Sequence, residues 1–351
     1  MAETTSRRGG QSVIFACACI FAMGGVVFGL SSLYPSMYEQ GQWEFLCDKD
    51  NATASECDAG QACCQDQIVQ FSLVSSVAFL LADAGAAPWG EAADRLGAEL
   101  CLGVSVGFSC TGFLLLGLGL SLTSLGAASW TSSVALWLLG VSAPGVFDGA
   151  LLSALRVIGN DVKLKAYLTT FSSAVFNGSA IVFALFQLAG GVTGNPGPAS
   201  IVWSVVCAIL WGAFALFMRA TPTVKVTQQD PLSFIQAARV SAVALKFKAK
   251  LNTMRSARGR VPARIFQTSE TPLAPYLLNK SNALMMLFMG SFTLISSFYL
   301  QTQISQLGLY FDDEAASGIS SFFNLAFPLL GFLVSFPTVV LFERAEDKDH
   351  Y

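Results

Sequence analysis

Two carboxylates, Asp83 and Asp148, fall well inside long apolar runs, where an ionised side chain is tolerated only if it faces protein or water. Such a group can hold a proton or an ammonium, or serve as a buried partner for a hydrogen bond or for Arg95 or Arg156. The residues alone leave both readings open. Ser72 and Ser76 precede Asp83 at helical spacing and extend it into one polar stripe. In the first apolar run, Gly24-Gly25, Gly29 and Pro35 loosen any helix and free backbone N–H and C=O groups. Ser31, Ser32 and Tyr34 stand beside them; Ser172, Ser173 and Asn177 in a later run, and Ser296, Ser297, Tyr299 and Gln301 in another, add hydroxyl, phenol and amide groups. Together these groups can bind a small polar solute without covalent chemistry. Serines and small residues also let membrane helices approach closely, so packing is the alternative role for each. An enzyme is not expected: the single histidine, His350, is in the tail, no serine has a triad base, and no nucleotide-binding loop is present. No cofactor or metal is expected either.

The elements that position these groups follow from composition. With 53% hydrophobic residues, 12% charged residues and 28 Phe, the chain is too apolar for a soluble domain. Eight runs, 11–37, 67–90, 99–122, 127–155, 167–191, 199–218, 281–304 and 316–342, are each long enough to cross the hydrocarbon core as a helix. Barrel strands would alternate in polarity, and these runs are continuous. The expected fold class is therefore an all-α membrane protein of eight transmembrane helices. The first run is too long for a signal-peptide core and reads as a retained helix. Apart from Glu99 at the very start of run three, runs three and six carry no charged residue, as lipid-facing helices would.

With both ends cytosolic, 19 of the 20 Lys and Arg lie inside and Lys49 alone outside, so the basic residues fix the orientation. Residues 1–10 form the cytosolic N-terminus, 11–218 six helices, 219–280 a basic central loop, 281–342 two more helices, and 343–351 a tail. The outside loop, 38–66, holds Cys47, Cys57, Cys63, Cys64 and the glycosylation sequon at Asn51, as suits an oxidising compartment. Two disulfides are expected, pairing Cys47 and Cys57 with Cys63 and Cys64 in either order. Cys17, Cys19, Cys101, Cys110 and Cys207 read as packing residues. In the central loop, Asp230-Pro231 opens a basic amphipathic segment that can lie on lipid headgroups or act as a solvated linker. The partners expected are the bilayer and a small-molecule solute, not nucleic acid.

The chain also repeats itself. GLSSLY (29–34) aligns with LISSFY (294–299), and PWGEAADR (88–95) with PTVVLFER (337–344), which sets Asp94 on Glu343 and Arg95 on Arg344. Helices seven and eight thus read as a second copy of helices one and two. Gly90-x-x-x-Asp94-Arg95-x-Gly97, after the second of six helices and ahead of a basic central loop, resembles the major facilitator superfamily. Ala98 and Glu99 replace that motif's usual basic residues. VVFGLSSLYPSMYEQGQWEFLC (26–47), CCQDQIVQFSLVSSVAFLL (63–81) and TTFSSAVFNGSAIVFALF (169–186) look like solute carrier family 43, the facilitative large neutral amino acid transporters, and related protist and fungal carriers. The resemblance covers 11–218 well and 281–344 loosely. It implies a facilitator-type bundle that moves neutral amino acids by alternating access. By the same resemblance Gly90, Asp94, Arg95 and Gly97, with Arg156, Glu343 and Arg344, form a cytosolic gate, and helices nine to twelve are absent. A truncated, non-transporting paralogue and a multi-helix receptor are the alternatives; in a seven-helix receptor, however, the acid-Arg pair would end the third helix rather than the second.

Overall fold

The structure, a computed structural model, describes residues 2–47, 64–122, 126–159, 161–221 and isolated positions between 284 and 333. All but Leu284 belong to one compact unit, Met1–Val224 with Ile295–Tyr351; the other unit is Lys225–Leu294. Apolar runs seven and eight therefore lie outside the described residues apart from isolated positions, and the basic amphipathic segment lies wholly outside them.

The helices are α1 (Ala2–Met23), α2 (Tyr34–Glu39), α3 (Gln65–Leu96), α4 (Ala98–Ser121), α5 (Gly126–Ile158), α6 (Val162–Gly178), α7 (Ile181–Thr193) and α8 (Gly197–Ala220), with a 3-10 segment at Val26–Leu33 between α1 and α2. They make six spans long and apolar enough to cross a membrane: Arg8–Glu39, Gln65–Leu96, Ala98–Ser121, Gly126–Ile158, Leu164–Thr193 and Gly197–Ala220. The chain is a multi-pass membrane protein. Each span contains or closely matches one of the first six apolar runs, because chain polarity marks where a helix leaves hydrocarbon. The turns have local causes. Gly97, at φ +97°, both ends α3 and starts α4, a conformation that favours glycine. Asp161 caps α6 by accepting from the Leu164 N–H at 3.0 Å.

The first span runs through the centre, with Ala16, Cys19, Ile20, Met23, Leu30 and Leu33 buried. Around it, helices meet at small residues. A side chain on Gly140 would strike the Ala78 carbonyl, and one on Gly149 would strike Leu102. Interhelical hydrogen bonds reinforce this: Trp89 Nε1 donates to the Val141 carbonyl at 2.7 Å, Trp137 Nε1 to Val74 at 3.1 Å, and Ser109 Oγ to Ser142 Oγ at 2.8 Å. Close approach and such bonds hold membrane helices together where hydrophobicity cannot, because lipid tails are as apolar as Leu. α4 and α8 expose Leu100, Val104, Leu114, Val202, Val205 and Ile209. Such side chains suit helices that meet lipid, although Glu99 and Thr111 are exposed on α4 as well.

At the end opposite the α3–α4 hairpin, residues 40–47 form a clasp. Gln40 Nε2 donates to the Gly194 carbonyl at 3.1 Å, Gln42 Nε2 to Gly119 at 2.9 Å, and Gln67 Nε2 to the Gln42 carbonyl at 2.7 Å. A Cys47–Cys64 disulfide ties the clasp to the start of α3, and it is one of the pairings expected from the sequence. Cys57, Cys63 and Asn51 lie outside the described residues. Closing a loop of sequence separation 17 stabilises by about 3 kcal/mol. Cys64→Ser is expected to lower the unfolding midpoint by that weight, and a thiol reductant should shift the wild type alike. An unchanged midpoint in both would show that the bridge carries no stability.

Candidate functional site at the crossing of two interrupted helices

The first span stops being α-helical halfway across. The Gly24 N–H closes the last turn on Ile20 at 2.6 Å, and after Gly25 the chain continues as 3-10 helix from Val26 to Leu33. Runs of 3-10 longer than three or four residues are uncommon and mark hinges or strain. The fifth span is interrupted too: α6 ends at Gly178, Ser179 and Ala180 form a turn, and α7 begins at Ile181. The two interruptions meet. A side chain on Gly25 would run into the Phe176 carbonyl and Ser179 Oγ, and one on Gly29 into the Ala180 carbonyl. The ending of α1 also leaves the Ala22 carbonyl to a partner from α8, Trp203 Nε1, at 3.0 Å.

An aromatic chain links four spans at this level. Phe79 of α3 lies 5.4 Å from Phe28 of the 3-10 segment, Phe28 lies 5.7 Å from Phe176 of α6, and Phe176 lies 5.3 Å from Phe147 of α5. Phe28, Phe147 and Phe176 remain partly exposed. Sequence reading did not single out these four, because one Phe among 28 carries no distinguishing signal.

The residues expected to bind solute fall into three groups. Ser31 and Ser32 are buried on the 3-10 segment, and Ser32 Oγ has no hydrogen-bond partner among the described residues. Ser173 and Asn177 are exposed on α6, while Ser172 is buried beside Cys17. Gly29 and Tyr34 are engaged in packing. Gly29 is filled by Ala180, and the Tyr34 hydroxyl donates to Ser75 Oγ at 2.5 Å, with Ser75 donating on to the Phe71 carbonyl at 2.5 Å. Ser296, Ser297, Tyr299 and Gln301 lie outside the described residues.

The charged residues separate by depth. Asp83 is exposed on α3, on the same face as Ser76, whose Oγ donates to the Ser72 carbonyl at 2.7 Å. Asp83 has no ion pair among the described residues; Arg95 pairs instead with Glu91, one turn earlier on α3, both exposed. Glu91 is not among the gate residues that the resemblance implies, although its spacing of four from Arg95 is the readable signal. Asp148 is half-buried on α5, within electrostatic reach of Asp94. Asp94 and Arg156 are exposed near the hairpin, Gly90 has open space around it, and Glu343 and Arg344 lie outside the described residues.

No family model and no solved structure matches the chain. A stretch of 186 residues is 26% identical to "Protein FMP42" of Saccharomyces cerevisiae, taking in 52% of this chain and 34% of the yeast protein. The match therefore spans about a third of that relative's length, a distant and partial likeness.

Proposed function

We propose that the protein is a secondary transporter that moves small solutes, foremost neutral amino acids, across a membrane by alternating access, without covalent chemistry or a cofactor. The observation that carries this is the meeting of two interrupted helices halfway through a bundle of apolar spans. Irregular backbone at membrane depth is tolerated where it is packed in protein or lines a watery path, and interrupted helices supply both solute-binding backbone groups and hinges. Ser32, Asn177 and the backbone around Gly24–Gly25 are the groups we assign to the solute. The preference for neutral amino acids rests on the resemblance of the Gly90-to-Gly97 motif and its flanking runs to facilitator carriers. In this reading the six described spans form the first bundle of a facilitator-type fold, with 281–304 and 316–342 belonging to the second. The hairpin end is cytosolic, and Asp94 and Arg95 are half of a latch.

Uptake of labelled leucine and phenylalanine into liposomes reconstituted with the full chain tests the proposal. Saturable uptake above protein-free vesicles is expected, competed by unlabelled neutral amino acids. Uptake equal to that of empty vesicles, with the protein folded and inserted, overturns it.

A further inference from the structure

We infer that the crossing selects solutes carrying an ammonium group on a bulky apolar or aromatic body, with Asp83 recognising the ammonium and the Phe79–Phe28–Phe176–Phe147 chain the body. The inference rests on the transport reading above and names its substrate class.

Asp83 lies several turns from either end of its span and four residues from Phe79 on α3, so the carboxylate and the end of the aromatic chain are one helical turn apart. It is exposed, without an ion pair among the described residues, and flanked by exposed Ala84, Ala86 and Ala87, which leave room beside it. Hydrocarbon does not solvate a carboxylate, so this face borders polar protein groups, water or a polar guest, and among the described residues no basic side chain answers it. The sign of charge at this depth is one-sided. Among the described residues the basic side chains of the spans are Arg8, Arg95, Arg156, Lys165 and Arg219, and all stand in the first or last turn. A guest ammonium at mid-depth therefore meets a carboxylate and aromatic rings, whose faces attract cations. A guest carboxylate meets no counter-charge there among the described residues. The partly exposed rings of Phe28, Phe147 and Phe176, joined to Phe79 across four spans, are the apolar surface that we assign to the aromatic or branched body.

Three compounds with one phenethyl-type body separate the charges: phenethylamine as cation, phenylalanine as zwitterion and hydrocinnamate as anion. Binding to the full chain in nanodiscs, by equilibrium dialysis at fixed ionic strength, is expected to fall in that order. Asp83→Asn should weaken phenethylamine by about tenfold, the weight of one partly desolvated charge contact, and leave hydrocinnamate unchanged. Asp83→Glu should retain the order, and Phe28→Ala should weaken amine and zwitterion alike. Hydrocinnamate binding as tightly as phenethylamine to the wild type, an order that survives Asp83→Asn, or no binding of any of the three overturns the inference. Binding in the expected order without uptake would overturn the transport reading alone. Uptake of phenylalanine with no preference for the amine would overturn this inference alone.

Discussion

Gly29→Val is expected to collapse the folded protein or, where some survives, to abolish uptake. The first atom of any side chain at this position lies in the space of the Ala180 carbonyl, with the Ala180 carbonyl carbon and Cα close behind. Overpacking against a side chain costs about 1–3 kcal/mol because the neighbour can change rotamer. Here the neighbour is backbone in the turn between α6 and α7, so relief requires the first and fifth spans to separate. The cost should reach or exceed the top of that range, about 3 kcal/mol, and Gly29→Ala should already show much of it. Gly107 and Gly212 have open space where a side chain would go, so Gly107→Ala and Gly212→Ala should match or slightly raise the wild-type melting point, as helical Gly→Ala does. Thermal unfolding in detergent, read beside uptake, checks the set. A Gly29→Val protein that melts and transports like the controls would mean that the two interruptions do not touch.

The Gly29 contact illustrates what sequence can and cannot disclose in such a chain. Run lengths locate the six described spans because leaving hydrocarbon demands polarity, and Arg95, Gly97 and Arg156 mark those exits. Gly24-Gly25 and Pro35 likewise announce a loosened first helix, because glycine and proline act through the local backbone. The interruption at Ser179–Ala180 follows Asn177-Gly178, a pair that marks turns, but inside a continuous apolar run that pair does not by itself separate a break from an unbroken helix. Nor does periodicity separate the lipid face from the interior, both being apolar. Phe28, Phe79, Phe147 and Phe176 read like any other Phe in the runs, and their meeting depends on how four helices cross. Tyr34 shows the converse. A phenol in a span looked like a solute ligand, but its hydroxyl is engaged with Ser75 of the next helix, as a buried polar group must be with some partner.

At the disulfide end, Trp43→Ala is expected to destabilise the protein by about 3–5 kcal/mol, the range for emptying a fully buried large aromatic site. Trp43 is 1% exposed. Its ring meets Trp130 edge-on at 4.9 Å and lies 5.6 Å from Phe45, and the Trp43 backbone N–H donates to Ser129 Oγ at 3.0 Å. The backbone at Trp43 is left-handed, φ +64°, a conformation that costs a residue with a β-carbon about 1–2 kcal/mol. Ring burial and the clasp's hydrogen bonds therefore hold a conformation that the residue would not choose alone. This yields a test of sign. Trp43→Gly loses the same ring but removes the conformational penalty, so it should melt higher than Trp43→Ala, the reverse of the usual order for these two residues in regular structure. Trp43→Phe, which keeps part of the ring contact, should lie above both. Thermal unfolding of the three variants decides the matter: alanine above glycine would show that the clasp does not impose the left-handed backbone, and the stability of this end would then rest on the ring contacts alone.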